Sequence, residues 1–152
     1  MIRFLKVFTA FSIIVFLIVL LVVYAFLPDP VGIVFSDKGY MIGKVSRNTF
    51  FYLFAGGFIL FQLIFYLFNS LVLKNGFTGR SAYGMKAWFK GMFLSVNIFL
   101  ILLILFYGFA NNAVNYPYAS IISLAIAGPL ILVIWLLLFP LFYFKTFPDD
   151  QK

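Results

Sequence analysis

Four long apolar runs follow one another along the chain of 152 residues, and short polar segments separate them. A helix needs about 20 residues to cross a hydrocarbon core of roughly 30 Å, and backbone without internal hydrogen bonds cannot face lipid. The runs predict an all-α integral membrane protein, an antiparallel four-helix transmembrane bundle that forms a single domain over residues 1–152. The predicted spans are Val7 to Leu27, Phe50 to Leu73, Met92 to Ala110 and Ala119 to Phe144.

The first run is expected to remain in the protein as an anchor. Arg3 and Lys6 precede it, as basic residues precede a secretory signal, but the run exceeds the roughly 7 to 15 apolar residues of such a signal. No small-x-small cleavage pattern follows either, because two bulky residues and a proline come directly after Ala25.

The distribution of lysine and arginine indicates the orientation, because these residues accumulate in cytoplasmic loops. Eight lie at the chain ends and in the second loop, namely Arg3, Lys6, Lys74, Arg80, Lys86, Lys90, Lys145 and Lys152. Three lie in the first loop, namely Lys38, Lys44 and Arg47. We therefore predict a multi-pass protein of the inner (plasma) membrane with both termini in the cytoplasm and the first loop outside.

The amino-acid composition argues against catalytic and metal-binding sites. The chain is 65% hydrophobic and 10% charged, has no Cys and no His, and its four acidic residues are aspartates outside the apolar runs. The usual metal ligands and acid–base groups are therefore missing from the spans. We expect no enzyme activity, no cofactor and no metal site.

The net charge of +7 has the sign that nucleic acid would attract. The basic residues flank apolar spans, however, and attraction to anionic lipid headgroups explains them more simply. We expect the bilayer, and not nucleic acid, as the partner of this charge. A membrane-protein partner or a homo-oligomer is compatible with the same pattern.

The second loop, Lys74 to Lys90, carries residues typical of a membrane interface. Its glycines and an Asn75-Gly76 turn oppose a long helix, so only a final interfacial helical turn is expected. The predicted lipid-interface residues are Lys74, Arg80, Lys86, Trp88 and Lys90. Anchoring of the topology is the simplest role for them, and docking of a partner or of a specific lipid is the alternative.

Uncharged polar residues inside the spans predict how the helices pair. Asn69 and Asn97 are expected at similar depth on neighbouring spans, and a hydrogen bond between them would contribute about 0.6 to 2 kcal/mol. Gln62 falls near mid-bilayer without an obvious partner. A backbone carbonyl, a second copy of the chain and another subunit are the alternatives for it.

Small residues on the fourth run predict a close helix contact. Ala119, Ser123 and Ala127 repeat every four residues, a pattern that lets a neighbouring helix approach closely. We expect that neighbour within the same chain, with dimerisation as the alternative.

The first loop is the most patterned non-helical stretch. Pro28 ends the first helix, Pro30 favours extended geometry before it, and β-branched and aromatic residues alternate from Val31 to Phe35 like a short strand. Gly39 and Gly43 are predicted to mark turns. We predict a structured extracytoplasmic loop folded onto the membrane surface. Its candidate interaction residues are Leu27, Pro28, Asp29, Val31, Phe35, Asp37 and Gly39.

The stretch Leu-Pro-Asp-Pro-Val-Gly-Ile-Val-Phe-Ser-Asp-Lys-Gly, residues 27–39, resembles the first-loop motif of a bacterial membrane-protein domain of unknown function found in SdpI-like immunity proteins. Leu27, Pro28, Asp29, Val31, Phe35 and Gly39 match that motif at its spacing. Gly32 stands where the family has a second proline, and Val34 stands where it has histidine. The resemblance implies a related fold more than a shared activity, because Val34 cannot carry a polar role of the histidine.

Three functions from different classes follow. The favoured one is an accessory or interaction protein of the cell envelope without catalytic machinery. The second, implied by the resemblance, is immunity or signalling against a membrane-active toxin. The third is a small transporter or channel subunit, which needs polar groups that converge at mid-membrane, where the sequence offers Gln62 alone.

Overall fold

The structure is a computed structural model that describes residues 2–36, 38–73, 79–112 and 118–141. Within these ranges four helices are long and apolar enough to cross a membrane, which confirms the predicted number of such helices. The candidate spanning segments are Arg3–Phe26, Arg47–Leu71, Gly84–Asn111 and Ile121–Leu141.

The elements alternate between long helices and one small hairpin. Helix α1 covers Ile2–Phe26, strands β1 and β2 cover Val31–Phe35 and Met41–Val45, and helix α2 covers Arg47–Phe68. A π-helical turn, Asn69–Leu73, continues α2. Helix α3 covers Gly79–Asn111 and helix α4 covers Tyr118–Leu137.

Helix α3 begins earlier than the sequence predicts, at Gly79 instead of Met92. A glycine inside a helix costs about 1 kcal/mol of propensity relative to alanine, which was the reason to expect a loop. Gly84 and Gly91 are buried, however, and tertiary packing supplies most of the stability of a protein helix. The prediction of a loop with only a final helical turn is therefore wrong from Gly79 onward.

Helix α3 is the central element, and it packs along both α1 and α4. Phe16 of α1 and Phe58 of α2 stack with ring centroids 3.7 Å apart. They belong to an apolar cluster that joins the hairpin to three helices, made of Phe16, Leu20, Val23, Leu27, Val31, Phe50, Phe58 and Ile104. A second cluster joins α3 to α4 and consists of Phe106, Ala110 and Ile121.

The two strands pair antiparallel, with Val31 opposite Val45 and register shifts after Gly32. Gly39 has φ 82°, a left-handed conformation that favours glycine, and this confirms the turn predicted there. Gly43 instead lies inside β2 opposite Val34, so the second predicted turn is wrong. A Cβ at position 43 would lie 3.0 Å from a methyl group of Val34, so the glycine permits a close approach of the strands.

Candidate functional site

The hairpin is held against the helices by strand β1. Val31 is fully buried, and Leu27, just before the strand, is also part of the apolar cluster. Phe35 lies edge-on to Phe106 of α3, with ring centroids 6.0 Å apart. Val34 faces outward and is exposed. The alternation predicted for this strand is therefore present, with its buried side on the helices.

A side chain of α3 completes the free edge of β1. The Gly32 N–H donates to Asn111 Oδ1 over 2.6 Å, and Asn111 Nδ2 donates to the Gly32 carbonyl over 3.0 Å. Asn111 is thus bonded to both polar groups of one peptide residue, as a neighbouring strand would be. Gly32 has no Cβ, and one built there would lie 2.8 Å from Met41 and 3.3 Å from Asn111 Oδ1. A proline at this position would lack the N–H donor.

The turn between the strands is closed by Ser36 and Tyr40. The Ser36 N–H donates to the Tyr40 carbonyl, the Gly39 N–H donates to the Ser36 carbonyl, and the Tyr40 N–H donates to Ser36 Oγ. These bonds fix the conformation of the turn. Asp37, one of the predicted interaction residues, lies outside the described residues.

The outer side of the hairpin is apolar and flanked by cations. Tyr40 is 71% exposed and Ile42 is 69% exposed, and Met41 lies between them. Lys38 and Lys44 are exposed on either side of this segment. We call Tyr40 and Ile42 the hairpin patch. The sequence did not single it out, because Tyr40, Met41 and Ile42 form an apolar run that does not alternate.

The end of α1 is tied to the start of α2. The Tyr24 hydroxyl donates to Asn48 Oδ1 over 2.9 Å, and the Arg47 guanidinium lies 5.1 Å from the centroid of the Tyr24 ring. Asp29 is exposed, and its Oδ1 accepts the Arg47 backbone N–H. Ser46 caps α2 by accepting the Thr49 N–H. Of the predicted loop residues, Asp29 therefore acts at a helix start, and Pro28 beside it is exposed.

Polar side chains from three helices meet inside the bundle. Gln62 Nε2 donates to Asn97 Oδ1 over 3.1 Å, and Asn97 Nδ2 donates to Ser12 Oγ over 2.8 Å. Ser12 in turn donates to the Thr9 carbonyl. Asn97 is completely buried. We call Ser12, Gln62 and Asn97 the polar network.

This network replaces the predicted bond between Asn69 and Asn97, which is wrong. Because α3 starts at Gly79, Asn97 lies at the middle of the span Gly84–Asn111 and not near its end. It therefore lies at the depth of Gln62, while Asn69 is only two residues from the end of its own span. Gln62 accordingly has a side-chain partner in the same chain, an arrangement that the sequence did not indicate.

Glycines bring α3 and α4 together. A Cβ built at Gly91 would overlap the indole ring of Trp135, and one built at Gly128 would overlap the ring of Phe99. Trp88 Nε1 donates to the Trp135 carbonyl, and Trp135 Nε1 donates to the Trp88 carbonyl. The α3–α4 contact therefore includes the rings of Trp135 and Phe99, which lie over glycines of the facing helix. It also includes the two hydrogen bonds donated by the indole N–H groups.

The small residues predicted for this contact lie elsewhere. Ser123 is exposed and Ala127 is half-buried, whereas Ile121 and Gly128 are buried. Positions 121 and 128 are seven residues apart and share a face, while 123 and 127 lie on another side of the helix. The predicted stripe is therefore not the α3 contact, and the side chain of Ala119 lies outside the described residues.

The predicted lipid-interface residues have different environments. Trp88 is 6% exposed and its indole N–H donates to α4, so its side chain packs on α4 instead of facing lipid. The headgroup depth assigned to it stays a prediction. Lys86 and Lys90 are half-buried on α3, and Lys90 lines a cleft with Lys6 and Asn69. Lys74 and the side chain of Arg80 lie outside the described residues.

The hairpin is attached to α3 through Asn111, and its outer side exposes Tyr40 and Ile42 between two lysines. No three His, Cys, Asp or Glu residues cluster within the part of the chain that the structure describes. Asn111 is the residue of this site that sequence reasoning missed. The sequence offered one indication of its role: Asn111 is an amide at the end of the third apolar run, and that end of the run is at the level of the first loop.

No family model matches the chain, and no curated protein or solved structure is similar enough to count as a match. The four apolar helices define the class, a helical protein with spans suited to a membrane. The likeness of residues 27–39 to SdpI-like immunity proteins stays a prediction.

Proposed function

We propose that this chain is an accessory or interaction protein of the cell envelope that recognises a membrane-protein partner through the hairpin patch. The supporting observation is the pairing of Gly32 with Asn111, which fixes the hairpin to α3 while Tyr40 and Ile42 remain exposed. A rigid apolar surface binds with a smaller entropic cost than a flexible one. The chain does no chemistry in this role.

The proposal includes an antiparallel bundle with the hairpin outside the cell and both termini inside. Three contacts support the arrangement. Tyr24 at the end of α1 bonds to Asn48 at the start of α2, and Asn111 at the end of α3 bonds to the hairpin. Ile121 at the start of α4 packs beside Ala110. The eight-to-three excess of basic residues in the chain ends and the second loop over the first loop supports the orientation.

The orientation is tested by thiol labelling, because the chain has no cysteine of its own. Lys38→Cys in the hairpin turn is expected to react with a membrane-impermeant maleimide in intact cells. Arg3→Cys, exposed at the start of α1, is expected to react only after the membrane is opened. Labelling of Arg3→Cys alone in intact cells would reverse the proposed orientation.

The chemistry of the hairpin specifies the partner. Its apolar patch is flanked by the cations Lys38 and Lys44, so the complementary surface is an apolar depression with an acidic rim. Charges at such a rim mainly raise the association rate and select against wrong partners. We therefore propose a partner with carboxylates around an apolar centre on its extracytoplasmic side.

Site-specific photocrosslinking tests this role. A photoreactive phenylalanine at Tyr40 or Ile42 is expected to give one discrete protein adduct in cells. The same group at Leu63, an exposed position inside the α2 span, serves as the matched control and is expected to give lipid adducts. Charge reversal by Lys38→Glu with Lys44→Glu should weaken the protein adduct. Lipid adducts alone at all three positions would refute the interaction role.

The polar network does not support the transporter alternative. Gln62, Asn97 and Ser12 do converge within the spans, as a transport site would require. Asn97 bonds to both of the other side chains, however, and it has no exposed surface. Interhelical bonds of this kind more often hold helices together than bind a substrate.

A further inference from the structure

A cleft of about 260 Å³ opens between α1, α2 and α3 at the end of the helices opposite the hairpin. Its polar lining consists of Lys6, Thr9, Asn69 and Lys90, and its apolar lining consists of Ala10, Ile13 and Phe65. Each of the three helices contributes to it. None of these residues takes part in the hairpin, so the cleft is independent of the proposed interaction role.

The cleft concentrates positive charge without a carboxylate. Lys6 and Lys90 come from different helices, and Lys86 is also close enough for its charge to repel that of Lys90. Asp29 is the sole acidic residue in the described ranges, and it lies next to the hairpin. Lys90 is half-buried, and a nearby anion would offset the cost of an unpaired charge at the edge of a low-dielectric region.

We propose that this cleft binds the phosphate group of an anionic phospholipid. The ammonium groups of Lys6 and Lys90 contact the phosphate oxygens from two sides, and the carboxamide of Asn69 supplies a neutral donor. Lysine suits this role as a compact charge with three donors. The ligand is thereby held between side chains of three different helices.

The shape of the cleft favours a lipid over a free phosphate ion. Lys6, Ala10 and Ile13 follow one another at spacings of four and three residues, so they form one face of α1. Ile13 and Phe65 extend the lining with apolar surface. A ligand that fills the cleft is therefore anionic at one end and apolar along the rest, as a phospholipid headgroup and acyl chain are.

Native mass spectrometry of the detergent-solubilised full chain tests the proposal. Phosphatidylglycerol and phosphatidylcholine are added separately at equal concentration. We expect one phosphatidylglycerol to stay bound per protein, with at least about tenfold weaker retention of phosphatidylcholine. Lys6→Gln with Lys90→Gln should weaken phosphatidylglycerol binding by about tenfold or more, because each cation near an anionic headgroup contributes separately. Lys38→Gln with Lys44→Gln removes the same charge at the hairpin and should leave binding unchanged.

Three outcomes would overturn the proposal: equal loss in the hairpin control, equal retention of phosphatidylcholine, and unchanged binding in the cleft variant. Inorganic phosphate tested in parallel distinguishes the source of the anion. If phosphate alone raised the melting temperature as much as phosphatidylglycerol does, the lipid assignment would be wrong. Lys6 is exposed, so Lys6→Gln alone keeps the test available if the double variant does not fold. It should still weaken phosphatidylglycerol binding several-fold.

Discussion

The indole rings of Trp88 and Trp135 exchange hydrogen bonds with each other's backbone. Trp88 Nε1 lies 3.3 Å from the Trp135 carbonyl oxygen, and Trp135 Nε1 lies 3.0 Å from the Trp88 carbonyl oxygen. The pair joins α3 to α4 at the end farthest from the hairpin. A buried indole needs a partner for its N–H, and here each residue supplies the partner of the other.

Both indole bonds should contribute to stability. Trp88→Phe and Trp135→Phe each remove one donor, and each is expected to lower the free energy of unfolding in mild detergent by about 0.6 to 2 kcal/mol. The loss in the double variant should differ from the sum, because the two residues contact each other across one interface. Tyr52→Phe, an exposed position on α2, serves as the control and should leave the free energy unchanged. An unchanged free energy of unfolding in the Trp88→Phe variant would contradict a stabilising role of the pair.

Gly91 is expected to tolerate no side chain. Gly91→Ala places a methyl group in the space of the Trp135 ring, and such overpacking costs about 1 to 3 kcal/mol of unfolding free energy. Gly56→Ala is the matched control, since nothing lies within 4 Å of a Cβ built at Gly56. That change should be neutral or slightly stabilising, because alanine favours a helix more than glycine does. Equal melting temperatures for the two variants would show that α4 does not pack on Gly91.

Removal of the Asn111 side chain should loosen the hairpin. Asn111→Leu leaves the buried N–H and carbonyl of Gly32 without partners, at a cost of about 1 to 3 kcal/mol. Hydrogen exchange at the Gly32 amide is the direct measurement and should accelerate. Asn112→Leu is the neighbouring control, because the Asn112 side chain donates to Gly108 of its own helix. Equal exchange rates at Gly32 in both variants would argue against the pairing.

The polar network predicts a particular pattern of coupling. Gln62→Leu and Asn97→Leu should be non-additive in their effect on the free energy of unfolding, because they remove the two ends of one bond. Asn69→Leu and Asn97→Leu should be additive, since these residues are not bonded to each other. A reversal of this pattern would restore the pairing predicted from the sequence.

The long apolar runs were sufficient to predict the four spans, because length and apolarity alone decide whether a helix can cross a membrane. The start of α3 was not predictable from local propensity. Its glycines suggested a break in the helix, although Gly91 is required by the ring of Trp135, 44 residues further along the chain. Helix propensity describes a residue without its tertiary contacts, whereas the contact with Trp135 is what requires a glycine at position 91.

The site was predicted unevenly for the same reason. The alternating pattern from Val31 to Phe35 was sufficient to predict the first strand, because alternation is a local signal. Asn111 gave no such signal, since its bond to Gly32 spans 79 residues. The partner of Gln62 was missed because the depth of Asn97 depends on where α3 begins. Long-range pairs of this kind follow from helix register, which the pattern of a single run does not determine.

The dependence of β1 on Asn111 has a consequence for synthesis of the chain. Gly32 leaves the ribosome 79 residues before its partner, which at about 5 to 20 residues per second is a delay of roughly 4 to 16 s. Throughout that interval the first strand has an open edge, and an open edge can pair with another chain. The hairpin is therefore completed only when the third span has been made.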